Sequence, residues 1–135
     1  GGKKQPFQRP SKPREFRSSA GLPIFVGRSN RQNDRLTTRT AEKWDLWFHT
    51  QKIHGSHVIL STGGEQPDAQ SIAEAASLAA YFSQAQSSTK VPVDFTQVKF
   101  VKKPAAAKPG MVVYTNYQTV LADPNEELVK HLLVK

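Results

Sequence analysis

Apolar and polar residues alternate along four short stretches in the first half of the chain. Residues 14–18 and 22–28 flank a Ser-Ala-Gly turn, and alternation on both sides of such a turn predicts a β-hairpin. Residues 46–49 and 57–60 carry aromatic and β-branched side chains on either side of a polar connection that contains a glycine. This second pattern predicts another pair of strands.

An alanine-rich stretch repeats apolar residues at helical spacing, which predicts a helix from Asp68 or Ser71 to about Gln86. Its many alanines favour close approach to a sheet. A shorter, mostly polar helix is predicted over residues 31–41, with Asn30 as its N-cap. The remaining predicted elements are a strand over residues 91–101, a second hairpin of strands 111–115 and 119–122, and a C-terminal helix capped by Asp123 or Asn125.

Strands precede and follow one long helix, and hairpin turns connect them in place of parallel crossovers. The pattern therefore predicts an α+β fold, a mostly antiparallel sheet of hairpins with one long Ala-rich helix and a short C-terminal helix packed on one side. Residues 1–13 are rich in Lys, Arg, Gln and Pro, so we expect a disordered basic linker or tail there. Residues 14–135 are expected to form a single domain.

Positive charge is concentrated near the start of the chain. The net charge is +8, and residues 1–40 hold ten Lys and Arg against two acidic residues. A polyanion is therefore the expected partner, and nucleic acid is favoured over an acidic membrane or a merely solubilising arm. The chain has no cysteine, which excludes disulfides, thiolate metal sites and a cysteine nucleophile. No apolar run approaches a membrane helix, which needs about 20 residues.

Two separate groups of basic residues are candidate phosphate-binding surfaces. The first consists of arginines spaced three, four and four residues apart, which places them on one face of the predicted 31–41 helix. No carboxylates stand at matching spacing, so a phosphate backbone would relieve the repulsion among these arginines, although a solvated face remains the alternative. The arginines are Arg28, Arg31, Arg35 and Arg39, and the second group consists of Lys99, Lys102, Lys103 and Lys108 in a predicted loop.

The predicted strand pair carries Trp47, His49 and His57, for which three roles are open. With His54 and Asp45, His49 and His57 could ligate a metal, although their spacing matches no defined site. They could instead hydrogen-bond to the backbone in a structural role. The third role is contact with RNA, because an imidazole or an indole can stack on an unpaired base.

Sequence signatures of catalysis are weak in this chain. Ser56 precedes His57, but neighbours on a strand point to opposite faces, and no nucleophile elbow, phosphate-binding loop or dinucleotide motif is present. We therefore predict a non-enzymatic protein without a metal or cofactor. The alternative is a metal- or His-dependent hydrolase acting on nucleic acid or a nucleotide, centred on His49 and His57.

Several short motifs occur in a defined order between about residues 14 and 122. The motifs are Val26-Gly27-Arg28-Ser29-Asn30, Asp45-Leu46-Trp47-Phe48-His49, Gly55-Ser56-His57-Val58-Ile59-Leu60, Lys102-Lys103-Pro104 and Lys108-Pro109-Gly110. Their order resembles a known family, the NFACT-R domain. This domain is the C-terminal RNA-binding module of NFACT proteins, some of which were formerly described as fibronectin-binding proteins.

The resemblance implies an RNA-binding module that contacts tRNA or rRNA on the large ribosomal subunit during ribosome-associated quality control. In full-length members this activity supports C-terminal tailing of stalled chains. It implies a cytoplasmic protein, or one in an organelle with bacterial-type ribosomes, and partner NFACT modules if the chain is a fragment. The implied RNA surface comprises Arg28, Arg31, Arg35, His49, His57 and the 102–108 loop. A domain that docks on a ribosomal protein remains the second alternative.

Overall fold

The computed structural model describes residues 11–135, so most of the predicted basic tail, residues 1–10, lies outside the described residues. Antiparallel strands and three α-helices make up the described part, which confirms the predicted α+β class. The strands are β1 (Arg14–Arg17), β2 (Pro23–Val26), β3 (Leu46–Thr50), β4 (Val58–Leu60), β5 (Val91–Gln97), β6 (Val101–Lys102), β7 (Val113–Tyr114) and β8 (Gln118–Ala122). The α-helices are α1 (Asn30–Arg35), α2 (Ala69–Tyr81) and α3 (Glu126–Leu132).

Six of these strands form an antiparallel sheet in the order β1-β2-β4-β3-β5-β8. Both hairpins predicted in the first half of the chain are confirmed, because β1 pairs with β2 and β3 pairs with β4. Trp47 lies opposite Ile59 and Phe48 opposite Val58, so the aromatic strand is central in the sheet. Alternation along β3 then directs Phe48 to one face and Trp47 with His49 to the other.

The prediction of a hairpin from strands 111–115 and 119–122 is wrong, since these two strands do not pair with each other. β7 pairs with β6 in a separate two-stranded sheet, and β8 pairs with β5 over five residues. The long edge of β5 explains this outcome. If this edge were unpaired, the backbone N–H and C=O groups along it would lack hydrogen-bond partners in the sheet. Pairing with β8 also packs Val120 and Ala122 against the core.

The two faces of the sheet are covered by different elements. On the first face, the alanines of α2 approach Phe48 and Leu60, and Leu132 of α3 joins the same core. The predicted packing of the long and C-terminal helices on one side is thus confirmed. On the second face, a smaller cluster consists of Leu36, Trp47, Ile59 and Val98, with Tyr114 and other partly buried side chains packed against it.

The long helix α2 begins as predicted and ends earlier than predicted. Asp68 is its N-cap, and its carboxylate accepts the Ser71 amide at 3.0 Å. The helix stops at Tyr81 rather than near Gln86, because the next residues bond to the β3–β4 connection. There the Ser56 amide donates to the Phe82 carbonyl at 2.9 Å.

The arginine-bearing helix on the second face changes its winding halfway. Ser29, not the predicted Asn30, is the N-cap of α1, since its hydroxyl accepts the Gln32 amide at 3.1 Å. After Arg35 the chain continues as a π-helix over Leu36–Thr40, closed by a bond of 2.9 Å from the Ala41 amide to the Leu36 carbonyl. The wider turn directs two consecutive side chains, Leu36 and Thr37, into the protein.

Candidate nucleic-acid interface

The four predicted arginines are all exposed, and they lie at or along α1 and the π-helix. The opposite side of this helix is buried through Asn33, Leu36 and Thr37, so the helix is fixed against the sheet while its charges face outward. None of the arginines forms an ion pair with a carboxylate of residues 11–135. Arg28 is partly oriented by a bond from its Nε to the Lys12 carbonyl at 2.8 Å.

Asp34 joins the loop of residues 102–110, here called the lysine loop, to the helix that carries the arginines, so this loop and the arginines meet on one surface. Lys103 Nζ lies 3.1 Å from the Asp34 carboxylate, which also accepts the Gly110 amide at 3.2 Å. Partial burial opposes ionisation of Asp34, but the Gly110 and Lys103 donors outweigh it and hold the pKa of Asp34 below its usual value. This carboxylate therefore stays charged and keeps both ends of the loop near the helix.

Any other residue at position 110 would strain the backbone. The φ of Gly110 is +82°, in the left-handed region, and a Cβ there would lie 3.2 Å from the Asn30 carbonyl oxygen. Glycine is thus required twice, for its backbone conformation and for close approach to α1. Its carbonyl is also used, because it lies 3.0 Å from Nε2 of His57.

His57 is a buried structural bridge with both ring nitrogens engaged. Nε2 must donate to the Gly110 carbonyl, so Nδ1 is the acceptor of the Thr37 hydroxyl, 2.8 Å away. Burial, and then the neighbouring His49, lower the pKa of His57 from 6.5 to about 4, which keeps the ring neutral in this tautomer. The side chain therefore joins β4 to the π-helix and to the lysine loop.

Trp47 is enclosed beneath the same surface. Its ring lies parallel to that of His49 at 5.7 Å between centroids, and it contacts His57 and Tyr114 at 5.4 and 4.6 Å. Trp47 is 1% exposed and His57 is 2% exposed, so neither offers a face to an unpaired base. The predicted direct RNA contact of these two side chains is therefore corrected to a supporting position, whereas half-buried His49 keeps part of its ring open.

The buried carboxylate of Asp94 orients Tyr114, the ring that packs against Trp47. Asp94 lies opposite His49 in the sheet and accepts the Tyr114 hydroxyl at 2.5 Å and the Thr119 hydroxyl at 2.6 Å. Burial first, and then Asp94, raise the pKa of Tyr114 above its ordinary value, so the phenol remains a donor. Tyr114 is therefore held in place against Trp47.

The predicted lysines are exposed, but they do not share one environment. Lys103 contacts Asp34, and Lys108 borders a cleft of about 540 Å³ whose floor includes Trp47 and His49. Lys99 lies instead in the 3₁₀ turn Val98–Phe100, with its Nζ 5.1 Å from the centre of the Phe100 ring. The structure thus brings the lysine loop next to the arginines, whereas Lys99 lies outside this loop and packs on Phe100.

Sequence reasoning missed three residues of this region, namely Asp34, Tyr114 and Lys52, which borders the same cleft as Lys108. Asp34 lies in the same helix as the arginines, and its two partners, Lys103 and Gly110, are 69 and 76 residues away in sequence. Tyr114 was assigned to a hairpin that does not form. The left-handed φ of Lys52, +59°, is a feature that only the folded chain exhibits.

Two further properties bear on the alternatives. Within residues 11–135, no three His, Asp or Glu side chains are grouped so that they could hold a metal ion. No helix in that part of the chain combines the length and the apolar character that a membrane crossing requires. Both ring nitrogens of His57 are hydrogen-bonded, so neither nitrogen is free to bind a ligand or to act as a proton acceptor.

A row of exposed arginines beside a basic loop, fixed on one face of an antiparallel sheet, characterises a polyanion-binding α+β module. A family model described as the NFACT protein RNA binding domain matches residues 12–116. The Rqc2 homolog RqcH of Bacillus subtilis (strain 168) is 48% identical over 129 residues, which cover 94% of this chain and 22% of that protein. The Rqc2 homolog RqcH of Streptococcus suis (strain 05ZYH33) is 40% identical over 124 residues, or 91% of this chain and 22% of that protein.

A solved structure agrees with these matches. The C-terminal part of the fibronectin/fibrinogen-binding protein from Streptococcus suis has a TM-score of 0.91 and 37% sequence identity, over 96% of this chain and 52% of that chain. The chain belongs to the NFACT RNA-binding domain family, as its motifs predicted. It spans about a fifth of the length of the curated relatives it matches.

Proposed function

We propose that this domain is a non-enzymatic module that binds tRNA or rRNA on the large ribosomal subunit in ribosome-associated quality control. One observation carries the proposal. The exposed arginines of α1 and the π-helix have no carboxylate partners in residues 11–135, and the lysine loop is attached to the same helix through Asp34. The module then acts where ribosomes are, in the cytoplasm or in an organelle with bacterial-type ribosomes.

The chemistry of this surface suits a phosphate backbone. Arginine binds phosphate in a bidentate geometry, and a cation without an internal partner loses no ion pair when it does so. The helix that carries the arginines is fixed through Leu36 and Thr37, so their backbone is ordered before RNA arrives. Release of counterions from RNA then supplies affinity that depends on salt and little on base sequence.

The relatives support the cellular setting of this proposal. The matched proteins are named as Rqc2 homologs, and each is several times longer than the matched segment. C-terminal tailing of stalled chains is therefore assigned to the full-length protein, with the other NFACT modules as partners. The contribution of this domain is RNA contact.

Substitution of Arg28, Arg31 and Arg35 by Ala tests the proposal. We expect tRNA affinity to fall by more than tenfold, and the slope of log affinity against log salt to become shallower by about two to three. A matched control removes three positive charges from the β1 and α3 side of the fold, and its affinity should change less than threefold. The control substitutions are Arg17→Ala, Lys130→Ala and Lys135→Ala.

The outcomes separate this function from its alternative. Unchanged tRNA binding by a folded arginine variant would exclude this surface as the RNA-binding site. Binding to isolated ribosomal proteins that persists after RNase treatment would favour docking on a ribosomal protein. Circular dichroism and the unfolding midpoint establish that each variant is folded.

A further inference from the structure

We propose that the cleft between β3, the β3–β4 connection and the lysine loop receives one unpaired nucleobase, which stacks on His49 while Lys52 and Lys108 hold the adjoining phosphates. This inference rests on the proposed function, since it specifies what kind of RNA the domain prefers. The arginine surface by itself would bind paired and unpaired RNA alike. The cleft would add a preference for an RNA loop, bulge or end.

The size and lining of the cleft fit a base. Its volume is about 540 Å³, and it is bordered by rings, amides and lysines together. Ligand sites commonly combine an apolar or aromatic floor with a few polar groups that orient the ligand. Asn30, Gln84 and His54 supply such polar groups here.

His49 offers the stacking surface. Its ring continues a parallel stack that starts with Trp47, at 5.7 Å between centroids and 5° between planes. Trp47 is fixed by Tyr114 and His57, so the stack is rigid, and a base laid on His49 would extend it by one layer. Burial lowers the pKa of His49 below 6.5, so the imidazole is neutral at physiological pH. Ordered, neutral rings of this kind are what RNA-binding proteins use to capture bases that are out of the helical stack.

The lysines at the rim suit the phosphates on either side of such a base. Lys52 and Lys108 are both exposed and both border the cleft, although they come from different segments. Lys52 has a φ of +59°, a conformation that glycine adopts at lower cost. Residues in sparsely populated backbone conformations occur at ligand sites as well as in tight turns.

The adjacent cleft provides a path toward the arginines. A second depression of about 400 Å³ includes Arg28 in its lining and shares Asn30, Asn33 and Gln84 with the first. An RNA strand that leaves the base-binding cleft can therefore reach the arginine surface along continuous protein.

The test compares two RNAs of equal length, a stem with an unpaired loop and the same stem as a perfect duplex. We expect the unmodified protein to bind the looped RNA at least about fivefold more tightly, since stacking of one base on a side chain has at least this effect. His49→Ala should abolish that preference by lowering affinity for the looped RNA more than for the duplex, and His49→Phe should restore it. His131→Ala, on the exposed surface of α3, is the matched control.

A direct readout uses 2-aminopurine in the loop, because its fluorescence falls when the base stacks. Quenching on binding to the unmodified protein supports the cleft, even if the His49 variants do not fold. Equal affinity for the two RNAs, unchanged 2-aminopurine fluorescence, or an equal loss for both RNAs in His49→Ala would overturn the proposal. In these cases duplex binding that depends on the arginines would leave the proposed function intact. No binding of either RNA at low salt would overturn both.

Discussion

Protonation of His57 should loosen the candidate interface, because this ring connects three parts of it. Nδ1 accepts the Thr37 hydroxyl and Nε2 donates to the Gly110 carbonyl. A proton on Nδ1 would remove the acceptor and place a charge in a site that is 2% exposed. We therefore predict that acid weakens the attachment of the lysine loop and of the π-helix before it affects the opposite face of the sheet.

The magnitude follows from the pKa of His57, which the fold lowers from 6.5 to about 4. Between these pH values the unfolded chain binds more protons at this residue than the folded chain does. The contribution of neutral His57 to stability is therefore fully present above pH 6.5 and is lost as the pH falls toward 4. With about 1.4 kcal/mol for each pKa unit, the loss amounts to about 3 kcal/mol.

Two measurements check this prediction. Titration of the His57 ring by NMR should give a pKa below 5 and the resonances of the Nε2-protonated tautomer at neutral pH. Urea unfolding at pH 7 and pH 4.5 should show a larger loss of stability in the unmodified protein than in His57→Gln, whose side chain does not titrate. A ring that titrates near 6.5, or equal pH dependence in the two proteins, would refute the assigned hydrogen bonds.

Two further predictions concern the same region. Gly27→Ala should cost about 1–3 kcal/mol in urea unfolding, because a Cβ there would collide with Oδ1 of Asn33; a cost below about 0.5 kcal/mol would contradict this close contact. Asp34→Asn should speed amide exchange at Gly110 while it changes global stability by less than about 1 kcal/mol, because the ion pair with Lys103 is partly exposed. Unchanged exchange at Gly110 would show that Asp34 does not hold the loop.

Local patterns were sufficient to predict much of this fold. Alternation predicted the strand pair of Trp47 and Ile59. Alanines at helical spacing predicted α2, with a start at Asp68 or Ser71, of which Asp68 is the cap. These features depend on residues that are near each other in sequence. The family motifs added the expectation of an RNA-binding domain, which the family match confirms.

The pairing of β7 and β8 could not be predicted from local pattern, because it depends on which distant strands have free edges. The π-helix after Arg35 also escaped prediction, since the wider turn is favoured by burial of Leu36 and Thr37 against the sheet. For the same reason the sequence assigned Trp47 to the RNA surface. Its covering residues come from distant segments, so only the folded chain reveals its burial.

Ultraviolet crosslinking of the protein to RNA in cells tests the central claim most directly, when both the crosslinked peptides and the attached RNA are identified. We predict crosslinked peptides from residues 28–39 and 102–110, attached to tRNA or large-subunit rRNA. Crosslinks confined to α2 and α3 on the opposite face, or the absence of ribosomal and transfer RNA among the attached sequences, would contradict the account.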